Sequence, residues 1–504
     1  MIEDFWNELN EGEIHARDSL QFELKSEFFI NPHLKQNVYK QEVYLFIPNS
    51  LQINSETYSK QQFYLDQTNL IRYKTPLMTL SELVNFDYSP SPLTRLHHLL
   101  NQSNSNLFTS VASDELKLFA AIFRAAIRER VYKIIKSMNS PQAAEQKSQA
   151  IGSLCAEITE VCQTFRQLKE TANARSDYPQ LIRHFKYIDE FISTNLNEFL
   201  MILLQHSRSL EKHDRHTDEL LAQLITQEQL YRKKKNLNPK TPQRLFADEA
   251  ILYRQALLHR FVLESLMLRN KRFSSEEKHR NVLGALAAGI AMLVYMTLLA
   301  WNSSSYVINS FPFVALAAFL YIIKDRIKEG FKTFYSKQAP RWFPDYSTEI
   351  ISFKGFKIGK LTEKFAFIDT KQLPHGFLKI RNHDFHEELQ ALYRHETIMQ
   401  YKREITLNAP RNYGERRREV TTIFRFNIHR FLQKASNAFQ TYLMLDPETQ
   451  QISEKLLPKV YHLNLIIRHS FLQEDLTPKI EIKTYRVVVD KNGIKRVEHI
   501  KDGL

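Results

Sequence analysis

Two short stretches carry the residue types that hold metal ions. KHDRHTDE puts His213, Asp214, His216 and Asp218 within about one helical turn, and NHDFHEE does the same with His383, Asp384, His386 and Glu387. Imidazole and carboxylate together suit zinc or iron, which would make the chain a membrane-bound metal-dependent hydrolase. Neither stretch has the H-E-x-x-H spacing that sets two imidazoles on one helix face with a carboxylate between them. A polar helix start facing water accounts for both, so the expectation is no metal site and no cofactor. His395-Glu396-Thr397 sets a histidine beside an acidic residue, as in a phosphoacceptor helix, but the Gly-rich ATP-binding segments such a helix works with are missing. The 11 glycines are scattered, and no pair has the spacing of a dinucleotide fingerprint or a P-loop. Cys155 and Cys162 fall about 10 Å apart on one face of an expected helix, too far to bridge, and read as buried small apolar residues.

The charge is uneven. The chain carries a formal +13, and from Lys324 onward there are 33 Lys and Arg against 22 Asp and Glu. Two basic runs stand out, Lys233 to Lys235 and Arg416, Arg417 and Arg418. Most such runs are solvated loops. Beside a bilayer the three arginines would instead meet anionic lipid, at roughly 1 kcal/mol per residue near the surface. No aromatic-basic motif of a nucleic-acid reader accompanies them, so no nucleic acid is expected.

That bilayer is suggested by a stretch without charge. Between Arg280 and Lys324 there is no Asp, Glu, Lys or Arg. Val282 to Trp301 as a helix rises about 30 Å, the thickness of a hydrocarbon core, and Tyr306 to Ile323 offers a second run. A two-span transmembrane helical hairpin follows, with Gly284, Ala285, Ala288 and Gly289 spaced to let the spans pack closely. Lys271, Arg272, Lys278 and Arg280 precede it and Lys324, Arg326, Lys328 and Lys332 follow it, which places both termini in the cytoplasm, by the compact layout that of a bacterial inner membrane. Neither run holds an ionisable residue, the usual mark of an ion path, which weighs against a transporter or channel. The acidic N-terminus shows no secretory signal.

The elements around this hairpin change grammar along the chain. Residues 1–110 read as a small α/β segment with two alternating strands in residues 20–48. Residues 111–274 read as a helical bundle: Leu181, Phe185, Ile188, Ile192, Leu196, Phe199 and Leu203 step by three and four, as in a coiled coil. The hairpin occupies residues 275–332, its first helix starting at the capping-box pair Ser274 and Glu277. Residues 340–504 read as a β-rich sandwich or open barrel, interrupted by helices near Phe385 to Arg394 and Phe431 to Leu443. Val420, Thr422, Phe424, Phe426 and Ile428 alternate there, and Asp490-Lys491-Asn492-Gly493 has the residues of a hairpin turn. The expectation is an α+β membrane protein, a non-enzymatic cytoplasmic scaffold or sensor that binds partner proteins, its own copies or anionic lipid.

Overall fold

Strands that lie up to several hundred residues apart in the chain pair side by side. In the computed structural model the described residues are 13–88, 90–101, 108–138, 144–174, 178–209, 215–237, 247–303, 311–352, 355–382, 396–409, 416, 419–445, 447, 450–473 and 476–500. Two units emerge, each discontinuous: a helical unit built on Ile71–Leu268 with Asn412–Thr421, and a β unit built on Glu11–Leu70, Arg269–Arg411 and Thr422–Leu504. The β-rich unit therefore includes strands that the sequence reading places in a separate N-terminal segment.

The strands in chain order are β1 (Ile14–Ala16), β2 (Gln21–Phe29), β3 (Gln36–Pro48), β4 (Gln67–Tyr73), β5 (Arg269–Ser274), β6 (Tyr346–Ile351) and β7 (Lys357–Ile368). They continue with β8 (Glu396–Asn408), β9 (Glu419–Asn427), β10 (Phe439–Leu445), β11 (Ile452–Pro458), β12 (Tyr461–Leu472), β13 (Pro478–Asp490) and β14 (Gly493–Ile500). Eight of them form one antiparallel sheet in the order β14-β13-β12-β3-β8-β7-β6-β5, and β1-β2-β9-β4 form a second. Period-two alternation sends Phe22 and Leu24 of β2, Val43 and Leu45 of β3, and Phe424 and Phe426 of β9 into one core. Phe63, from the short Lys60–Asp66 helix, stacks on Phe365 with ring centroids 4.1 Å apart. Ser59 and Gln62 start that helix with a reciprocal capping box, so its aromatic face is aimed at the core.

The helical unit packs five long helices, Phe108–Met138, Ala144–Ala174, Pro179–Ser209, Arg215–Lys234 and Ala247–Leu263. Every member of the stripe from Leu181 to Leu203 is buried. Phe165 links its neighbours, stacked on Phe119 at 5.3 Å and tilted against Phe185 at 5.8 Å.

The α+β class holds, but the two-span transmembrane hairpin does not. Among the described residues a single helix is long and apolar enough to cross a membrane, at Gly284–Trp301. It lies within the Ser275–Ser303 helix, which starts one residue after the expected cap and runs unbroken. The second helix is Phe311–Trp342, and its apolar part, Phe311 to Ile323, rises only about 20 Å, short of the roughly 30 Å of a hydrocarbon core. Residues 306–310 of the expected span lie outside the described residues. Lys324, Asp325, Arg326, Lys328 and Glu329 continue the same helix. Tyr295 meets Tyr321 edge-on at 6.4 Å, which sets the antiparallel level and puts the charged turn beside Ala288 to Met292 of the first helix. The pair is thus apolar on both helices only toward its far end.

Candidate functional site

The two apolar helices are spliced into a sheet edge. β5 and β6 are antiparallel neighbours, Ser274 opposite Tyr346, and the connection between them is the helical pair itself. Ser275 donates its backbone N–H to the Asp345 carbonyl at 3.1 Å, and Asp345 in turn donates to the Glu363 carbonyl at 2.8 Å. A bare strand edge becomes the root of the helices because these backbone groups are paired across the exit.

Below that root lies a cluster of buried ionic side chains. The Asp345 carboxylate accepts from Lys60 Nζ at 2.6 Å, the Tyr64 hydroxyl at 2.9 Å and the Phe365 backbone N–H at 2.7 Å. Glu363 accepts from Gln67 Nε2 at 3.0 Å, Asn69 Nδ2 at 2.7 Å and the Tyr401 hydroxyl at 2.8 Å, with Arg272 at 3.4 Å on its other oxygen. The Arg272 guanidinium sits over the ring of Tyr346 at 3.9 Å, so the last strand before the helices is held by charge and by an aromatic face. Burial, reinforced by the Asp345 charge, drives the Tyr64 hydroxyl far above its ordinary range, and burial beside Glu363 does the same to Tyr401. Both phenols stay protonated donors. Burial pulls Arg403 below the ordinary guanidinium value against the attraction of Tyr401 and Glu363; its Nη2 donates to Thr422 Oγ1 at 2.9 Å.

Strand register extends the cluster into a row. Glu363 lies opposite Arg403, Arg403 opposite Gln41, and Gln41 opposite His469. All four are buried, and opposite residues share a face, so a polar row crosses the inner side of the sheet between apolar ones. Gln41 Nε2 donates to Ser26 Oγ at 2.9 Å. Glu13 takes a short ion pair from Lys483 and lies 3.7 Å from His469. Chemically the arrangement is a latch: carboxylates are surrounded by donors, and the phenols are locked as hydrogen-bond donors to them. A one-residue slip of any strand would turn its member of the row to the opposite face and leave the others buried without their partner, so the row fixes register.

The residues picked out by spacing lie elsewhere. Arg416 is a buried partner of Glu115, whose two carboxylate oxygens both accept from its Nη2, and its Nη1 donates to the Pro90 carbonyl at 2.8 Å. This overturns the lipid-facing reading for Arg416, because its guanidinium is committed inside the helical unit; Arg417 and Arg418 lie outside the described residues. Asp218, in the first turn of the Arg215–Lys234 helix, is buried and accepts from the Ser207 hydroxyl at 2.7 Å, which ties that turn to the end of the Pro179–Ser209 helix. His213 and Asp214, and the whole of His383, Asp384, His386 and Glu387, lie outside the described residues. Among the described residues no group of three or more His, Cys, Asp or Glu side chains converges as a metal site would. Cys155 and Cys162 are free thiols whose pKa values burial pushes up to about 11 and about 12. Gly284 and Ala288 are half-buried while Ala285 and Gly289 are exposed, and a Cβ on either glycine would meet no atom. The buried seam of the helical pair is Ala287, Ala291 and Leu320.

In the helical unit the strongest rival is an ionic knot around Asp189, which accepts from Lys169 Nζ at 2.5 Å and the Tyr231 hydroxyl at 2.7 Å. Arg166 lies 3.5 Å over the Tyr231 ring and binds Glu228 at 2.6 Å. It too is closed on itself. A separate cleft of about 280 Å³, lined by residues of the Phe108–Met138, Pro179–Ser209 and Ala247–Leu263 helices, takes in Arg124, Asn195, Glu198 and His259, with Arg124 already donating to Asn195 at 3.0 Å.

Fold and junction together define an α+β protein with an apolar helical pair inserted between an edge strand, β5, and its neighbour β6. Comparison with protein-family models, with curated protein sequences and with solved structures gave no match.

Proposed function

We propose that the protein is a membrane-attached, non-catalytic adaptor whose β unit is held at a bilayer by the far end of the apolar helical pair, while the helical unit is left to bind partner proteins. The observation that carries this is exposure: only 11% of Gly284–Trp301 is buried, and Leu293 and Trp301 on the first helix and Phe319 and Ile322 on the second stand open. Apolar surface of this extent is stable in water only when something covers it. The charged turn Lys324 to Glu329 limits how deep the pair goes. An apolar end of about 20 Å dips into a bilayer without crossing it, and cations on long stems reach headgroups from there. The latch at the root then transmits any displacement of the helices to the sheet, since Asp345 holds the first helix residue, Ser275, through its carbonyl while its carboxylate is bound within the β unit.

Vesicle flotation tests this reading. The wild-type chain should float with phospholipid vesicles, and Leu293→Asn with Ile322→Asn should remain at the bottom of the gradient with its circular dichroism unchanged. A wild-type chain that stays down, or a double variant that floats as well as wild type, overturns it.

A further inference from the structure

The hairpin of β10 and β11 is exposed along its whole length, yet it is rich in large apolar residues. Every residue from Phe439 to Leu445 and from Ile452 to Pro458 is exposed. The pairing puts Phe439 opposite Pro458, Thr441 opposite Leu456, Leu443 opposite Glu454 and Leu445 opposite Ile452. Opposite residues share a face, so Phe439, Leu443, Leu445, Ile452, Leu456 and Pro458 crowd one side of the ribbon, with Thr441 and Glu454 among them. Ile452 is 72% exposed and Leu456 67%. Gln440, Tyr442, Met444, Ser453, Lys455 and Leu457 make the other side, which is mixed. A lone two-stranded ribbon is marginal in water, and this one is directional.

Its base is fixed. The Ser436 N–H donates to the Tyr461 hydroxyl at 2.9 Å and the Lys459 N–H to the Ala438 carbonyl at 2.8 Å. The register says where that base lies. Tyr346, Glu363, Arg403, Gln41 and His469 form one row, and the helices leave β5 and β6 on one side of it. On that same side β7 runs on to Ile368, β8 begins at Glu396, β3 ends at Pro48 and β12 begins at Tyr461. The ribbon, joined to Tyr461, therefore springs from the sheet end that also carries the apolar helices. Five strand spacings separate β5 from β12, roughly 24 Å.

We infer that the apolar face of the β10–β11 ribbon is a second bilayer contact, lying flat at the interface of the membrane beside the inserted helices. This rests on the membrane attachment proposed above and adds a separate surface to it. Placement agrees with that occupant: the ribbon springs from the same end of the sheet as the apolar helices, and Lys459 and Lys491 stand exposed at its base, where headgroups would lie. Depth is limited by the backbone. The outer edges of a two-stranded ribbon hold unpaired N–H and C=O groups, which the hydrocarbon core does not tolerate and the headgroup region does. The connecting sequence Asp446-Pro447-Glu448-Thr449 is acidic, which excludes a tip-first insertion into an anionic surface.

The test uses the full chain with Cys155→Ala and Cys162→Ala and one new cysteine, labelled with an environment-sensitive fluorophore, at Leu456, Tyr442 or Leu293. With phospholipid vesicles the Leu456 probe should shift to the blue and be quenched by a shallow lipid-borne quencher, while the Tyr442 probe on the other face changes little. The Leu456 response should survive high salt, because the contact is apolar rather than ionic. If only the Leu293 probe responds, the ribbon proposal fails and attachment through the helices stands. If no probe responds, both fail. A Leu456 shift that appears without vesicles on raising protein concentration assigns the face to a second copy of the chain and overturns the lipid contact.

Discussion

Ser275, the first residue of the apolar helix, donates its backbone N–H to Asp345, the residue that leads into β6, across a gap of 3.1 Å. The two are 70 positions apart in sequence, and the hydrogen bond closes the neck of the helical pair. The Asp345 side chain meanwhile points into the latch, so one residue seals the neck with its backbone and anchors it with its carboxylate.

Asp345→Ala should therefore lower unfolding stability by about 3–5 kcal/mol, the range for removing one partner of a buried ion pair. Tyr64→Phe, which removes one neutral donor to the same carboxylate, should cost only about 1–2 kcal/mol. Urea unfolding followed by circular dichroism measures both; an Asp345 loss no larger than the Tyr64 loss contradicts the latch.

Arg416→Gln should destabilise the helical unit by about 3 kcal/mol, because it leaves Glu115 buried without its guanidinium partner. Adding Glu115→Gln should recover much of the loss. A double-mutant cycle by chemical denaturation reports the coupling, and a coupling near zero would return Arg416 to the class of solvated arginines.

His184 accepts or donates at 2.8 Å to Ser113, and burial, followed by the nearby Lys117 charge, holds its pKa below the ordinary 6.5. The unfolded chain then binds the proton more readily than the folded one. The stability contributed by neutral His184 is complete above pH 6.5 and is lost as pH falls toward the lower folded value. His184→Asn should flatten part of the drop in melting temperature between neutral and mildly acid buffers. An unchanged slope would show that the histidine titrates alike in both states.

Gly493 has φ of +136°, and a Cβ there would press on the backbone carbonyl of Ser19. Gly493→Ala should cost more than about 1 kcal/mol, since the turn cannot relax away from backbone. Gly289, in a helix with open space beside it, is the contrast: Gly289→Ala should be neutral or stabilising by up to roughly 1 kcal/mol. Paired melting curves settle it, and a destabilising Gly289→Ala would mean that a close neighbour packs on that glycine.

Local pattern made parts of this legible. Phe424, Phe426 and Ile428 alternate because one side of β9 faces the core, and the Leu181 to Leu203 stripe is buried as its spacing demands. The turn at Asp490 to Gly493 formed where its residues favour it, Asp490 opposite Gly493. Other features are set by partners far away. RNKRFS reads as a basic flank and becomes β5 because β6 pairs with it. FQTYLML continues a helical spacing from Phe431, yet only His429–Leu432 is helix; the pairing with ISEKLLP makes the rest a strand. Glu363, Arg403, Gln41 and His469 show no common motif, since register alone brings them into one row. The second helix was read by its uncharged residues, whereas its length is set by backbone hydrogen bonds that continue through Lys324 and beyond.

The central place of β3 has a consequence for synthesis. Its two neighbours in the sheet are β8 and β12, which leave the ribosome some 350 and 420 residues later. At roughly 5–20 residues per second, Gln36–Pro48 waits tens of seconds with both edges bare, while the contiguous Ile71–Leu268 segment can already condense. An apolar strand in that state is a target for chaperones and for its own copies. Lys40 and Glu42 on its outer face are then gatekeepers against premature pairing as well as members of the finished sheet.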